Sequence, residues 1–272
     1  MACLKDKKLF LLDMDGTLYL DETLFPGVLE FLELIRVRGG RYLFLTNNSS
    51  RNVEDYLKKM ERLGILARAE DFITSLDATI ALLQKEYVPK RIYALGTRSM
   101  QSQLLAAGFE LGEEPTADID LLLVGFDREL NYKKLEDACR LLGRDIPYLA
   151  TNPDWVCPTD FGYVPDCGSI CEMLEHATGR RPRFIGKPEP DMVRLALKRT
   201  GFTPEQCLLI GDRLYTDIAC GLKAGVETAF VLSGEGKEED IERMGIRPDR
   251  IFADIQALLR RMEEEIASDE SK

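Results

Sequence analysis

The chain has 272 residues, 45% of them hydrophobic, with 36 Lys and Arg against 47 Asp and Glu, a net charge of −11. That length allows one large domain or two modest ones and a core large enough to need no staples. The acidic balance argues against nucleic acid or an anionic membrane as the main partner, since both call for a basic surface. One His and seven scattered Cys with no CxxC pair argue against His-built zinc centres and a disulfide scaffold, and fit a reducing cytoplasm.

No apolar run approaches the roughly 20 residues of a membrane span, and the segment before Leu9 lacks a signal-peptide core. Leu9–Leu12 reads as the first buried strand. Pro26 and Gly27 open a helix carrying Val28, Leu29, Leu32 and Ile35, closed by Gly39 and Gly40. Tyr42–Leu45 is the next strand. Ser49 or Ser50 is expected to cap a helix with Val53, Leu57, Met60 and Leu63 on one face and Gly64 behind it. In the middle of the chain Arg91–Ala94 and Leu121–Val124 read as strands, Gln101–Ala107 and Tyr132–Leu142 as helices. His176 lies in a helix-end context that suits a structural role. Leu208–Ile210 and Thr228–Leu232 are further strands, with a helix over Asp217–Ala224 capped by Thr216. The tail from Met262 reads as a fraying helix followed by disorder. The strand runs are continuous rather than alternating, the mark of a parallel sheet covered on both faces. Strand–helix alternation then predicts an α/β, doubly wound, Rossmann-like fold, in which ligands bind where strands end at a switch point.

Residues just past the strands therefore carry weight. Leu9–Leu12 is followed by Asp13-Met14-Asp15-Gly16-Thr17, Tyr42–Leu45 by Thr46-Asn47-Asn48, and Leu208–Ile210 by Gly211-Asp212, with Asp217 five residues on. If these strands are neighbours, Asp13, Asp15 and Asp212 converge, and their repulsion calls for a hard divalent cation. Oxygen donors without His or Cys point to Mg²⁺ rather than zinc. The Thr46–Asn48 turn stands at a helix start, where backbone N–H groups hold anions. Gly186-Lys187-Pro188 follows the short apolar segment Arg183–Ile185 and offers an ammonium. Cation, ammonium and amides around a nucleophilic carboxylate make a phosphoryl-transfer site. Each motif alone is as readily a turn or a helix cap; the set, in this order and each after a strand, is far harder to reach by chance.

The set DMDGT, TNN, GKP and GDRLYTD resembles the four motifs of the haloacid dehalogenase (HAD) superfamily, over essentially the whole chain. The resemblance implies Asp13 as nucleophile, forming an aspartyl-phosphate, and Asp15 as general acid and base. It implies Mg²⁺ held by Asp13, the Asp15 main-chain carbonyl and Asp212, with Asp217 as the second acid of that motif. Thr46, Asn47 and Asn48 match the phosphate-binding turn, and Lys187 the cation beside it. True dehalogenases of the superfamily lack the second Asp, so Asp15 favours phosphate-ester hydrolysis.

Between Thr17 and Thr46 there is room for one helix only, whereas Asn48 to Lys187 far exceeds a turn, and a structureless loop of that length is unusual. This resembles the C2-type cap of the NagD / 4-nitrophenylphosphatase-like branch, and implies a core over 1–77 and 178–272 with the cap at 78–177. The expected substrate is a small phosphorylated metabolite: an aryl phosphate, a sugar phosphate or a nucleoside monophosphate. Members of that branch often pair through the cap, so a homodimer is a further expectation. The cap's specificity loop would include Asn152, Asp154, Trp155 and Cys157; pyridoxal-phosphatase members carry a His near the position of Cys157, which disfavours that substrate. Trp155 is read either as a ring-stacking residue or as a hydrophobic plug, Cys157 as packing. A phosphomutase or phosphotransferase using the same aspartyl-phosphate, and a non-enzymatic phospho-metabolite sensor, are the alternatives.

Overall fold

The computed structural model describes residues 3–50, 53–88, 90–159 and 161–270. In chain order the strands are β1 (Leu9–Leu12), β2 (Tyr19–Leu20), β3 (Thr23–Leu24), β4 (Arg41–Thr46), β5 (Phe72–Thr74), β6 (Ile92–Leu95), β7 (Leu121–Val124), β8 (Tyr148–Ala150), β9 (Val156–Thr159), β10 (Gly162–Pro165), β11 (Arg183–Phe184), β12 (Cys207–Gly211), β13 (Glu227–Val231) and β14 (Arg250–Phe252). The helices are α1 (Val28–Val37), α2 (Val53–Arg62), α3 (Ser75–Leu82), α4 (Arg98–Ala106), α5 (Tyr132–Leu142), α6 (Cys167–Thr178), α7 (Asp191–Thr200), α8 (Ala219–Ala224), α9 (Glu239–Met244) and α10 (Ile255–Glu270). None is long and apolar enough to cross a membrane.

The chain divides into two units, one of residues 1–46, 53–73 and 187–272, the other of 47–52 and 74–186. The first holds a six-stranded sheet in the order β14-β13-β12-β1-β4-β5. Beta-1 runs parallel to β12 on one side and to β4 on the other. The chain therefore moves outward from β1 through β4 and later in the opposite direction from β12, which makes β1 the switch point of a doubly wound sheet. Burial explains why β1 reads as an unbroken apolar run: Leu9, Phe10, Leu11 and Leu12 are all fully buried. Phe10 meets Phe31 of α1 edge to face at 5.5 Å, and Phe10 and Leu12 join Ile35, Ile210, Leu258 and Met262 in one core. Truncating such a leucine to Ala costs roughly 2–5 kcal/mol.

The second unit has its own four-stranded sheet, β11-β8-β7-β6, parallel throughout, and the antiparallel hairpin β9–β10. Its contact boundaries fall at 74 and 186, against an expected inserted domain of 78–177. The Thr74 hydroxyl caps α3 by accepting Asp77 N–H at 3.0 Å, and β11 pairs with β8, so both ends of this stretch are tied into the second unit.

Two local expectations need correction, and a third meets residues outside the described ones. The Ser49 hydroxyl lies 2.9 Å from the Thr151 hydroxyl and accepts Phe126 N–H at 3.1 Å; the helix cap expected of Ser49 or Ser50 falls against residues outside the described ones. The start of α2 adjoins residues 51 and 52, outside the described residues. Thr216 sits inside a five-residue turn, Leu214–Ile218, rather than at a cap. The Asp217 carboxylate accepts Arg213 N–H at 3.1 Å and so starts the helical path three residues early. The expected fraying tail is helical through Glu270, where Ile255, Leu258 and Met262 are buried against the sheet core; residues 271 and 272 lie outside the described residues. Thr97, not singled out in the sequence, caps α4 by accepting Met100 N–H at 3.2 Å.

Candidate active site

Register brings the acidic residues level. Leu12 pairs with Ile210, and Asp13 N–H donates to Ile210 C=O at 3.0 Å, so Asp13 and Asp212 leave adjacent strands side by side. Asp217 reaches the same place because the Leu214–Ile218 turn folds its carboxylate back to the end of β12. Asp13, Asp212 and Asp217 each offer an oxygen within 4.8 Å of the others. Lys187 Nζ donates to Asp13 Oδ1 at 2.5 Å, to Asp217 Oδ1 at 2.6 Å and to Leu45 C=O at 3.3 Å. Lys187, Asp212 and Asp217 are buried, and Asp13 is partly so.

Asp212 is held from several directions. Its Oδ2 accepts Glu235 N–H at 2.8 Å, and its Oδ1 accepts the Thr17 hydroxyl at 3.4 Å. Gly16 adopts φ +89°, and a Cβ there would lie 2.5 Å from Asp212 Oδ2; a Cβ on Gly234 would also strike that carboxylate. Both glycines are thus needed for close approach, and Gly16 for its left-handed backbone as well.

Three carboxylates share one ammonium. Burial, then Asp217, pushes the Asp13 carboxyl well above its ordinary range, against the pull of Lys187; Asp212 adds to the rise. Burial and Asp217 push Asp212 up to about 6. Burial works against the charge on Lys187, but Asp13 and Asp217 outweigh it and raise its pKa. The negative charge is under-compensated and every donor is oxygen, so the residues fit a hard divalent cation. Among the described residues this is the one His/Cys/Asp/Glu group arranged to hold a metal ion.

The other expected residues take distinct places. Thr46 ends β4, 3.5 Å from the Tyr56 hydroxyl. The Asp15 carboxylate stands outside the acidic cluster, exposed, with Lys59 Nζ at 3.2 Å. Asn47 and Asn48 group with the second unit. Asn47 Nδ2 donates to Asp154 Oδ2 at 2.8 Å, and Asn47 C=O accepts the Ser75 hydroxyl at 2.7 Å. Asn152 Nδ2 donates to Asp154 Oδ2 at 2.8 Å and to Asp166 Oδ1 at 3.0 Å. Asn48 Oδ1 accepts Ser50 N–H at 2.9 Å and its hydroxyl at 2.8 Å, closing a local turn. Trp155 is 62% exposed, and Cys157 packs against the core of its unit. His176 lies in the last turn of α6, exposed.

Sequence reasoning passed over four contributors: Tyr56 and Lys59 on α2, and Ser233 and Glu235 after β13. Ser233 Oγ donates to Gly16 C=O at 2.8 Å and Glu235 N–H binds Asp212. The signal for the last two was present, since Ser233-Gly234-Glu235-Gly236 follows a predicted core strand. Tyr56 and Lys59 gave none, because they read as positions of an amphipathic helix.

Two family models match the chain, haloacid dehalogenase-like hydrolase over residues 10–110 and HAD-hydrolase-like over 184–258. An acid sugar phosphatase of Staphylococcus aureus is 30% identical over 260 residues, 96% of this chain and all of that protein. The crystal structure of a 4-nitrophenylphosphatase from Thermotoga maritima is 39% identical with a TM-score of 0.90, covering 96% of this chain and 100% of the other. A glycerol phosphate phosphatase of Mycobacterium tuberculosis, solved in complex with magnesium, is 29% identical with a TM-score of 0.87, over 95% of this chain and 79% of that one; it was also solved with calcium.

Proposed function

Because the chain belongs to the haloacid dehalogenase-like hydrolases, in the branch that includes NagD and 4-nitrophenylphosphatase, we propose that it is a Mg²⁺-dependent phosphatase of small phosphomonoesters working through an aspartyl-phosphate on Asp13. The carrying observation is the group Asp13, Asp212, Asp217 and Lys187 at the switch point of the sheet. The relatives, an acid sugar phosphatase, a 4-nitrophenylphosphatase and a glycerol phosphate phosphatase, support a small ester as substrate.

Asp13, Asp212 and Asp217, with the Asp15 main-chain carbonyl, would hold the cation, which supplies charge neutralisation for the phosphoryl oxygens. Lys187 holds Asp13 Oδ1, leaving the other carboxylate oxygen to attack. An Asp13 oxygen forms a bond to phosphorus as the ester P–O bond breaks, and the Asp15 carboxyl gives its proton to the departing alkoxide. Water then attacks phosphorus, Asp15 takes its proton, and the acyl-phosphate P–O bond breaks to return Asp13 and inorganic phosphate. Thr46, at the end of β4, would receive the phosphoryl group through its hydroxyl. Lys187, whose three N–H groups go to Asp13, Asp217 and Leu45 C=O, would supply a fixed positive charge beside the nucleophile, so little reorganisation is needed during transfer.

The test is phosphate release across a library of phosphate esters with and without Mg²⁺, together with mass spectrometry of enzyme quenched in acid during turnover. A single phosphoryl adduct mapped to Asp13 is expected. Phosphate release with the adduct on another residue, or full turnover in EDTA, would overturn the reading.

A further inference from the structure

Helix α2 supports two strand ends at once. Tyr56, near its start, sets its hydroxyl 3.5 Å from Thr46 Oγ1, and Lys59, one turn on, sets Nζ 3.2 Å from Asp15 Oδ1. The i, i+3 spacing puts both on one face of the helix. Lys59 is pinned: its side chain is 14% exposed and Nζ lies 3.9 Å from the centroid of the Tyr19 ring, which is fully buried. Tyr19 in turn is locked to the same turn as Asp15, since Gly16 N–H donates to Tyr19 C=O at 2.8 Å and residues 15 and 19 form an isolated bridge. An ion pair between two mobile surface side chains adds little. Here the cation is held in place by a buried ring and the carboxylate, 57% exposed, has the freedom.

We propose that Lys59 is a positioning residue for the phosphatase reaction, fixing the exposed Asp15 carboxylate at one orientation past the end of β1 through the ammonium that the Tyr19 ring anchors. The inference rests on the reading of Asp15 as the acid that protonates the leaving group. Proton transfer depends on heavy-atom distances near hydrogen-bond length, so a carboxylate free to rotate loses part of the roughly 10²–10⁴-fold such a group provides. The loss falls on leaving groups that need a proton. Nitrophenolate departs well as an anion; phenolate and 4-methylphenolate depend more on the acid.

The experiment is kcat/KM for 4-nitrophenyl, phenyl and 4-methylphenyl phosphates in the full chain with Mg²⁺, for wild type, Lys59→Met, Lys59→Gln and Lys59→Arg. Expected is a rise of about tenfold in the ratio of 4-nitrophenyl to phenyl phosphate for Met and Gln, and of less than about threefold for Arg, which keeps a cation on a similar stem. A structural defect lowers all three esters together and leaves the ratio alone, and that result overturns the proposal, as does an Arg variant as impaired as Met. The two neutral variants guard against one failing to fold. Asp15→Asn separates the levels. If it leaves the ratio unmoved, the reading of Asp15 as acid fails; if it moves the ratio and Lys59→Met does not, only the role of Lys59 fails.

Discussion

Replacing Asp13 with Asn deletes one of three crowded negative charges while keeping the shape of the side chain, and its effect on stability can be worked from the site. The carboxylate oxygens lie within 4.8 Å of one another, and Lys187 is 2.5 Å from Asp13. At an effective dielectric of about 20, a repulsion across 4.8 Å is worth about 3.5 kcal/mol and an attraction across 2.5 Å about 6.6 kcal/mol. Because 4.8 Å is the widest those oxygens stand apart, the two repulsions that Asn escapes at least offset the one attraction it forfeits. What is left is desolvation, which costs a carboxylate several kcal/mol more than an amide. Metal-free Asp13→Asn should be more stable than wild type by about 1–3 kcal/mol, a rise in Tm of roughly 2–8 °C. Activity should fall by at least about three orders of magnitude. Magnesium should narrow or reverse the difference, because a cation at a hundredfold excess over Kd adds about 2.7 kcal/mol to the protein that binds it well. Thermal melts in EDTA and in Mg²⁺, beside phosphate-release assays, test both halves. A metal-free variant melting several degrees below wild type would refute the reasoning, since it would show that the carboxylate relieves more strain than it imposes.

EDTA should stop turnover, and Mg²⁺ should restore it better than Zn²⁺ in phosphate-release assays, because every donor is a hard oxygen. Gly234→Ala puts a methyl on the Asp212 carboxylate in a loop already tied by Glu235 N–H and Gly236 N–H; Mg²⁺ affinity by calorimetry should weaken about 10–100-fold. Burial pushes the Cys207 thiol up to about 12, against about 8.5 when unfolded. The raised folded value means its stability contribution is intact below about 8.5 and is lost as pH climbs toward 12, about 2 kcal/mol by pH 10. Urea melts at pH 8 and 10 should show that loss in wild type and a smaller one in Cys207→Ala.

What the sequence made legible, and what it hid, divides along one physical line. A parallel sheet buried on both faces leaves unbroken apolar runs, and its chemistry stands one or two residues past each run, so Asp13, Thr46, Lys187 and Asp212 could be found by counting from strand ends. Asp217 was found too, although the helix expected to carry it begins three residues earlier, because the carboxylate itself ties down Arg213 N–H. Helix faces carry no such punctuation. Lys59 and Tyr56 occupy positions that any amphipathic helix fills with a cation and an aromatic ring, and only the packing of α2 shows that these two reach Asp15 and Thr46. Ser49 has distant partners for a related reason. Its hydroxyl meets Thr151 and Phe126, 102 and 77 residues away. The same holds for Asn47, whose amide is bonded to Asp154, a pairing that no local pattern after β4 could announce. Local chemistry thus points to the groups proposed to act on a substrate, while the contacts proposed to orient them are set by tertiary packing. Selectivity between leaving groups, rather than overall rate, is where the second kind should show itself.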